Sequence, residues 1–358
     1  MNDSSVCSPA CFVCVIRLNK WRRASKEAER KDKNLDYILG PLREAAEIHR
    51  TVRLWAREWI KPGMKMIDIA DGIEAALRST AGAHGGIERG IAFPTGLSIN
   101  NIAAHWTPNA TDTEICLGAN DVLKVDIGVQ VDGRVVDSAF TLSWNPEYDE
   151  LLKTVRAATD AAIAAAGVDV RLNDIGEVVQ EVMEAGEVTI GGKTHQIHTV
   201  RNLMGHSLGL YQIHSEKCIP NYKGANEPGK MEEGDLLAFE TFGSTGTGYA
   251  DEENTGLPTS HFMKCYGPPT MGLYGGPREK ELLAHINSNF GTLAFARRWL
   301  DQAGKHDYDK ALQNLVESGA VDDYPPLCDI PGSYVAQFEH TVVIKPSSKE
   351  VVSRGPDY

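Results

Sequence analysis

The 358-residue sequence lacks a long apolar run, and its cysteines are too few and odd in number for a disulfide framework. A helix that crosses a bilayer needs ~20 consecutive apolar residues, and no segment approaches that length. The apolar stretch 11–16 is too short for a secretory signal, and its positive charges follow it rather than precede it. Seven cysteines would leave at least one thiol free in a secreted protein. The sequence therefore predicts a cytoplasmic protein.

Basic charge is also scarce, because 36 Lys and Arg face 49 Asp and Glu and leave a net charge of −13. This balance argues against DNA binding, which needs clustered cations to displace counterions from phosphates. The one basic concentration spans residues 17–33. It is interpreted either as a solvated helix or as a contact with a phosphate-rich partner such as the ribosome.

Cys7, Cys11 and Cys14 have a spacing that resembles a metal site. Three thiols without a fourth ligand nearby do not favour structural zinc. The other proportions, 42% hydrophobic and 24% charged residues, are those of an ordinary globular protein with a sizeable core.

Apolar residues that recur every three or four positions predict amphipathic helices over 45–59, 66–77, 148–163 and 172–182. Short segments rich in Val, Ile and Phe predict antiparallel strands over 122–136, 236–242 and 335–344. Residues 261–325 lie between the last two of these strands and are predicted to form a mostly helical insertion. We expect an α+β fold.

The dipeptide Asp132-Gly133 predicts a two-residue β-hairpin, because both of its central positions tolerate positive φ. This turn would pair Val131 with Arg134 and place Asp126 opposite a residue two positions from Asp137. The two carboxylates would then be diagonal neighbours on one face, while the other face is apolar. Such acids repel each other and raise each other's pKa unless a cation neutralises them. The alternative interpretation is that both acids lie on a sheet face exposed to solvent and bind no cation.

Glu240 and Glu339 interrupt apolar strands in the same manner, and His206 lies between glycines in GHSLG. Glycines there would let the backbone approach a ligand closely. Four carboxylates and one imidazole exceed the needs of one ion, and this oxygen-rich set suits paired Mn²⁺, Fe²⁺ or Co²⁺. Paired ions about 3.5 to 4 Å apart can bridge and ionise a water to give a nucleophilic hydroxide. The residues alone thus predict a dinuclear metal hydrolase.

Five segments resemble the motifs of type 2 methionine aminopeptidases. They are AAHWTPN (103–109), KVDIG (124–128), GHSLG (205–209), ETFGSTG (240–246) and AQFEHT (336–341). The resemblance covers about 44–358 and includes the insertion that distinguishes type 2 from type 1 enzymes. It implies a pita-bread fold, a pseudo-twofold antiparallel sheet flanked by helices. Residues 41–358 would form the catalytic domain, and residues 1–40 an extension that is partly basic and a candidate for disorder.

The resemblance implies removal of the initiator methionine from nascent chains whose second residue is small and uncharged. Two divalent ions (Co, Mn, Fe or Zn) would be used, and a monomer that binds neither membrane nor DNA is expected. Two alternatives share the fold, namely a metal-free protein that binds RNA or ribosomes, and a dipeptidase specific for X-Pro bonds.

The site residues that the resemblance implies fall into three groups. Asp126, His206 and Glu240 would complete the shells of individual ions, while Asp137 and Glu339 would bridge them and Glu339 would lie near the hydroxide. His105 would steady the substrate, and His214 would contact the scissile carbonyl. Other residues would line or border the methionine pocket: Phe93, Gly96, Ile213, His261, Ala294 and Tyr324. Met204, where relatives carry a polar residue, would alter the pocket rim.

Overall fold

The computed structural model describes residues 14–17, 26, 30, 31, 33, 35, 39–83, 87–266 and 275–358. Cys7, Cys11 and most of the basic segment 17–33 lie outside the described residues, so the interpretations placed on them stay predictions. No described helix has the length and apolar character needed to cross a membrane.

The described residues from 39 onward form seven α-helices. They are α1 (Gly40–Trp59), α2 (Met66–Ala81), α3 (Asp149–Ala165), α4 (Leu172–Glu184), α5 (Pro277–Asn289), α6 (Arg297–Gln302) and α7 (Asp309–Glu317). Helices α1 to α4 lie where the apolar spacing predicts them. In α1 the stripe that includes Ala45, Ile48 and Val52 is buried, and Pro62 and Gly63 follow its end, as neither residue favours a continuing helix.

The strands are mostly short and antiparallel. They are β1 (Cys14–Arg17), β2 (Arg89–Gly96), β3 (Ile102–Ala104), β4 (Val122–Val131), β5 (Arg134–Ser143), β6 (Glu187–Ile190), β7 (Lys193–Gln196), β8 (His198–Thr199), β9 (Gly205–Ser207), β10 (Cys218–Ile219), β11 (Leu236–Ser244), β12 (His261–Lys264), β13 (Ala294–Ala296), β14 (Val321–Tyr324), β15 (Leu327–Cys328), β16 (Val335–Ile344) and β17 (Ser348–Val351).

Two sheets carry the predicted site. One has the order β2-β4-β5, and the other contains the path β1-β17-β16-β11-β9-β10. The β4–β5 hairpin has the predicted register, with Val131 opposite Arg134 and Asp126 opposite Ala139. Its apolar face is buried in the main core together with α1 and α2.

The two sheets meet where β5 lies beside β16, and two threonines join them. The Thr141 hydroxyl accepts from the Gln337 backbone N–H and donates to the Gln337 carbonyl. The Thr341 hydroxyl makes the same two contacts with Asp137. Asp137 and Gln337 thus make equivalent contacts at this boundary between β5 and β16, which we call the seam.

The insertion is only partly helical, and in this respect the sequence-based expectation was incomplete. Helices α5, α6 and α7 pack on a three-stranded sheet of order β13-β12-β14 and enclose a small core of their own. The three strands have only three or four residues each, which is too short for a period-two pattern to be recognised.

Asp329, on the loop after β15, organises the turn that follows β11. Its buried carboxylate accepts from the Ser244 and Thr247 hydroxyls and from the backbone N–H groups of Thr247, Gly248 and Ile330. These donors stabilise the charged form and hold the pKa of Asp329 below its ordinary value of 3.8.

The lowered pKa of Asp329 makes the stability of the protein depend on acid pH. Because its folded-state pKa is lowered, the carboxylate contributes stability that is present above about pH 3.8 and is lost as the pH falls through the folded-state value. Asp329→Asn should therefore lower the free energy of unfolding at pH 7 by ~2 kcal/mol and weaken its dependence on acid pH, as measured by urea unfolding. This role would be contradicted if the free energy of unfolding of the variant depended on acid pH as strongly as that of the parent.

Candidate metal centre

Five strands bring the predicted ligands to one place, with one ligand on each strand. Glu240 on β11 lies directly opposite Glu339 on β16, and His206 on β9 pairs with Ala238, two residues before Glu240. The seam between β5 and β16 brings Asp137, and through the hairpin Asp126, to the same position.

The five side chains form two groups that share Glu339. One group contains Asp137, His206 and Glu339, and the other contains Asp126, Glu240 and Glu339. Within each group one ligand atom per residue lies within 4.8 Å of the others. The structure thus brings all five predicted ligands together.

Burial makes this cluster of carboxylates energetically unfavourable unless a cation neutralises it. Removal from water raises the pKa of Asp126 to about 6. Burial, followed by repulsion from neighbouring carboxylates, raises the pKa values of Asp137, Glu240 and Glu339 well above their ordinary range. One oxygen of Asp126, one of Asp137 and both of Glu339 have no hydrogen-bond partner among the described residues. Four orphaned oxygens converging with an imidazole fit divalent cations.

His206 has the protonation state that a metal ligand needs. Burial, and then the nearby His214, lower its pKa to about 3, so the ring is neutral at physiological pH. Its Nδ1 faces the Ser207 carbonyl at 3.4 Å, and its Nε2 lies 3.6 Å from Asp137 Oδ2. The second nitrogen therefore points into the acidic cluster.

Gln337 belongs to the centre although sequence reasoning missed it. Its amide Nε2 donates to Asp126 Oδ2 at 3.0 Å and to Glu240 Oε1 at 2.7 Å. A glutamine in an apolar strand carries no charge that would single it out. The signal that could have found it is its position two residues before Glu339, which places both side chains on one face of β16.

The glycines on either side of His206 lie close to neighbouring parts of the chain. A Cβ at Gly205 would lie 2.5 Å from the Ala238 carbonyl, and one at Gly209 would lie 2.8 Å from Gln212 Oε1. Strand β9 therefore packs against β11 with no room for a side chain at Gly205, whereas the close neighbour of Gly209 is the end of a flexible side chain. Gly96 is likewise constrained, since a Cβ there would lie 2.9 Å from Asp126 Cβ.

A cavity opens directly onto the acidic cluster. Apart from Glu339, every predicted site residue lines it: Phe93, Gly96, His105, Asp126, Asp137, His206, Ile213, His214, Glu240, His261, Ala294 and Tyr324. Met204 is not among the lining residues, whereas its neighbour Leu203 is. Strands β12, β13 and β14 of the insertion supply His261, Ala294 and Tyr324, so the insertion forms one wall.

Three histidines in addition to His206 line the cavity, namely His105, His214 and His261. The His214 ring lies edge-on to His206, with centroids 4.4 Å apart, and the His105 ring lies 5.5 Å from Tyr324. Burial, followed by the effect of His214, lowers the pKa of His105 to about 4. Removal of the ring from water also lowers the pKa of His214. Both rings are therefore neutral hydrogen-bonding groups near pH 7.

The predicted hairpin turn also positions the loop that carries Ile213 and His214. The Tyr211 backbone N–H donates to the Gly133 carbonyl at 2.8 Å, and the Tyr211 ring occupies the space that a Cβ at Gly133 would need. Glycine at the turn thus serves the hairpin and the docking of this loop together.

Comparison with known proteins agrees with this geometry. Residues 41–346 match metallopeptidase family M24. Methionine aminopeptidase 2A of Arabidopsis thaliana is 51% identical over 95% of this chain and 76% of its own length. Methionine aminopeptidase 2 of Schizosaccharomyces pombe is 53% identical over 95% of this chain and 78% of its own length.

Among solved structures, a thermophilic Arx1 superposes with a TM-score of 0.74 at 17% identity, covering 93% of this chain and 92% of the other. This likeness concerns the fold alone, and with the family match it confirms the expected pita-bread architecture. On sequence, fold and the convergence of its acidic residues, the chain belongs to metallopeptidase family M24 and, within it, to the methionine aminopeptidases of type 2.

Proposed function

We propose that this chain is a dinuclear aminopeptidase that removes the initiator methionine from nascent polypeptides whose second residue is small and uncharged. The observation that carries the proposal is the cluster of Asp126, Asp137, His206, Glu240 and Glu339 at the end of a cavity with apolar walls. The family supports the metal-dependent aminopeptidase chemistry.

Two divalent cations would be held by the five clustered residues, which form two groups that share Glu339. When bound, such ions polarise a carbonyl and lower the pKa of a coordinated water. The carboxylate-rich donor set favours Mn²⁺, Fe²⁺ or Co²⁺, with Zn²⁺ as a further candidate. The ions would also offset the repulsion that, after burial, raises the pKa values of Asp137, Glu240 and Glu339.

The protein's own residues would bind and orient the peptide. Phe93, Ile213 and Tyr324 give the cavity an apolar wall suited to an unbranched thioether side chain. His214, neutral and open to the cavity, would donate to the scissile carbonyl oxygen as negative charge develops there. His105 would hold the substrate in place from the adjoining wall, and a Glu339 carboxylate oxygen would accept a proton from the attacking water.

Release of methionine from the peptide Met-Ala-Ser tests the proposal. We expect release with Mn²⁺, Co²⁺ or Fe²⁺ supplied, and loss of activity with EDTA. A parallel assay with Ala-Pro tests the dipeptidase alternative. The proposal would be overturned if no methionine were released with any of the metals. If elemental analysis found no stoichiometric metal in the protein, a metal-free binding protein of the same fold would be favoured.

Gln337 should support the metal centre through its two amide hydrogen bonds. Gln337→Leu would leave Asp126 and Glu240 without the donor that orients them, and loss of such an outer-shell partner typically weakens metal affinity by about 10- to 100-fold. Calorimetric titration with Mn²⁺ measures the change. The matched control is Gln130→Leu, since Gln130 is equally buried but bonds Ile87 and Gly133 near the hairpin turn. Equal Mn²⁺ affinities in the two variants would contradict this role.

The enzyme would work in the cytoplasm, close to the ribosome. The seven cysteines favour the cytoplasm, where nascent N-termini are available. The basic segment 17–33 remains the candidate for ribosome contact; its deletion should reduce co-sedimentation with ribosomes while methionine release from a free peptide continues.

A further inference from the structure

His105 has an unusual backbone conformation. It follows β3 with a φ of 62°, in the left-handed region that a non-glycine residue rarely occupies. Such a conformation persists only where the surroundings hold it, and it is often found at functional sites. What holds the backbone of His105 therefore matters for the cavity that its ring lines.

The hydroxyl of Ser260 is at the centre of the contacts that do so. Ser260 is 1% exposed and precedes the first strand of the insertion. Its Oγ accepts from the Thr107 backbone N–H at 3.2 Å, lies 3.0 Å from His261 Nδ1 and 3.5 Å from the His105 carbonyl oxygen. One hydroxyl thus contacts the backbone from the His105 carbonyl to the Thr107 N–H and the ring of a second cavity histidine.

The Ser260 hydroxyl has a single proton to donate. Thr107 N–H is the donor in its contact, so the Ser260 proton is available to His261 Nδ1 or to the His105 carbonyl. The nitrogen lies within ordinary hydrogen-bond range, whereas 3.5 Å to the carbonyl exceeds it. His261 Nδ1 is then an acceptor, and its ring proton resides on Nε2. The backbones of Pro94 and His105 also lie within hydrogen-bonding reach of the ring, and a carbonyl acceptor at Pro94 is satisfied by the Nε2–H proton.

A buried ion pair anchors this arrangement to the catalytic domain. The Ser260 carbonyl accepts from the Arg297 backbone N–H at 2.9 Å. The guanidinium of Arg298, 1% exposed, donates from Nη1 to the Thr107 hydroxyl at 2.9 Å and pairs through Nη2 with Glu74 on α2. Trp299 Nε1 donates to the same Glu74 carboxylate at 2.6 Å. The start of α6 therefore fixes Ser260 and Thr107 together.

We propose that Ser260 is a positioning residue, which holds His105 in its left-handed conformation and fixes His261 as the Nε2–H tautomer. The insertion then does more than close the cavity, because it sets the orientation of a histidine that belongs to the catalytic domain. The proposal rests on the proposed function in one respect, namely that substrate binds beside His105.

Ser260→Ala, in the metal-loaded enzyme, tests the proposal in two ways. A 1 Å misplacement can cost about 10²-fold in rate, so kcat/KM for Met-Ala-Ser should fall by about 10- to 100-fold with metal content unchanged. Imidazole ¹⁵N spectra should show His261 changing from the Nε2–H tautomer to a mixture. Loss of packing alone would not redistribute that proton.

Ser333→Ala is the matched control, because Ser333 is also buried and donates its hydroxyl to a backbone carbonyl, that of Ile330. It should retain both the activity and the His261 spectrum. Ser260→Cys keeps a weak donor and should give intermediate values, which covers the case in which the alanine variant does not fold. An unchanged His261 tautomer in the folded Ser260 variants, or kcat/KM within twofold of the parent, would overturn the proposal. The spectrum requires no substrate, so failure of the proposed function would be recognised separately.

Discussion

Replacement of Asp137 by asparagine is expected to abolish metal binding and methionine release together. Asp137 is 4% exposed, its Oδ1 has no partner among the described residues, and its Oδ2 faces His206. Asparagine has nearly the same shape, but it removes the charge and can turn an N–H₂ group towards the remaining ligands. Elemental analysis should find the variant depleted in metal, and kcat/KM should fall by about 10³-fold or more.

The metal-free form of this variant should be at least as stable as the parent. Burial and neighbouring acids raise the pKa of Asp137, so its charged form is disfavoured in the folded state. A raised acid pKa means that stability is lost as the pH rises through that value. At pH 7 the neutral amide relieves this repulsion, and the thermal midpoint without metal should be unchanged or higher.

Asp132→Asn is the control for this experiment. Asp132 has a φ of 50° in the hairpin turn, which asparagine also tolerates, and it is not among the clustered acids. It should retain metal and activity. Stoichiometric metal in Asp137→Asn, or a less stable metal-free form, would contradict the assignment of Asp137 to the metal centre.

Replacement of His214 by alanine is expected to lower kcat with metal still bound. The ring packs edge-on against His206 but is absent from both ligand groups. It is open to the cavity, and its lowered pKa keeps it neutral, with an N–H to donate. Loss of one donor to a developing oxyanion typically costs about 10²- to 10³-fold in kcat.

Metal content, measured together with steady-state rates, distinguishes a catalytic role of His214 from a role in metal ligation. We expect His214→Ala to retain the metal stoichiometry of the parent and to show its main change in kcat. His195→Ala, on β7, removes a histidine outside the cavity and should leave both quantities unaltered. Metal loss from His214→Ala would show that its role is ligation or support of His206.

Local patterns allowed much of the site to be predicted. Asp132-Gly133 determines the β4–β5 register because a two-residue turn depends only on adjacent residues, and that register placed Asp126 and Asp137 correctly on one face. An acid inside an apolar strand is also visible without a structure, as Glu240 and Glu339 show. The helices α1 to α4 were predicted because their apolar stripes span several turns.

Contacts between distant segments could not be predicted in this way. The seam between Thr141 and Gln337 joins residues 196 positions apart, and Ser260 meets Thr107 across 153. Neither Gln337 nor Ser260 stands out in sequence, since each is an uncharged polar residue with many ordinary uses. The short strands of the insertion depend on their neighbours in the same manner, because three or four residues hold too little pattern to identify them.

The sequence by itself determined the chemistry of this protein, because buried acids at strand positions and one histidine need a counter-charge wherever the chain places them. It also determined the hairpin that aligns two of those acids. Only the tertiary structure decided which neutral groups support them. Hydrogen bonds from Gln337 and Ser260 act over about 3 Å, and such distances are set by the packing of two sheets and an insertion rather than by any local pattern.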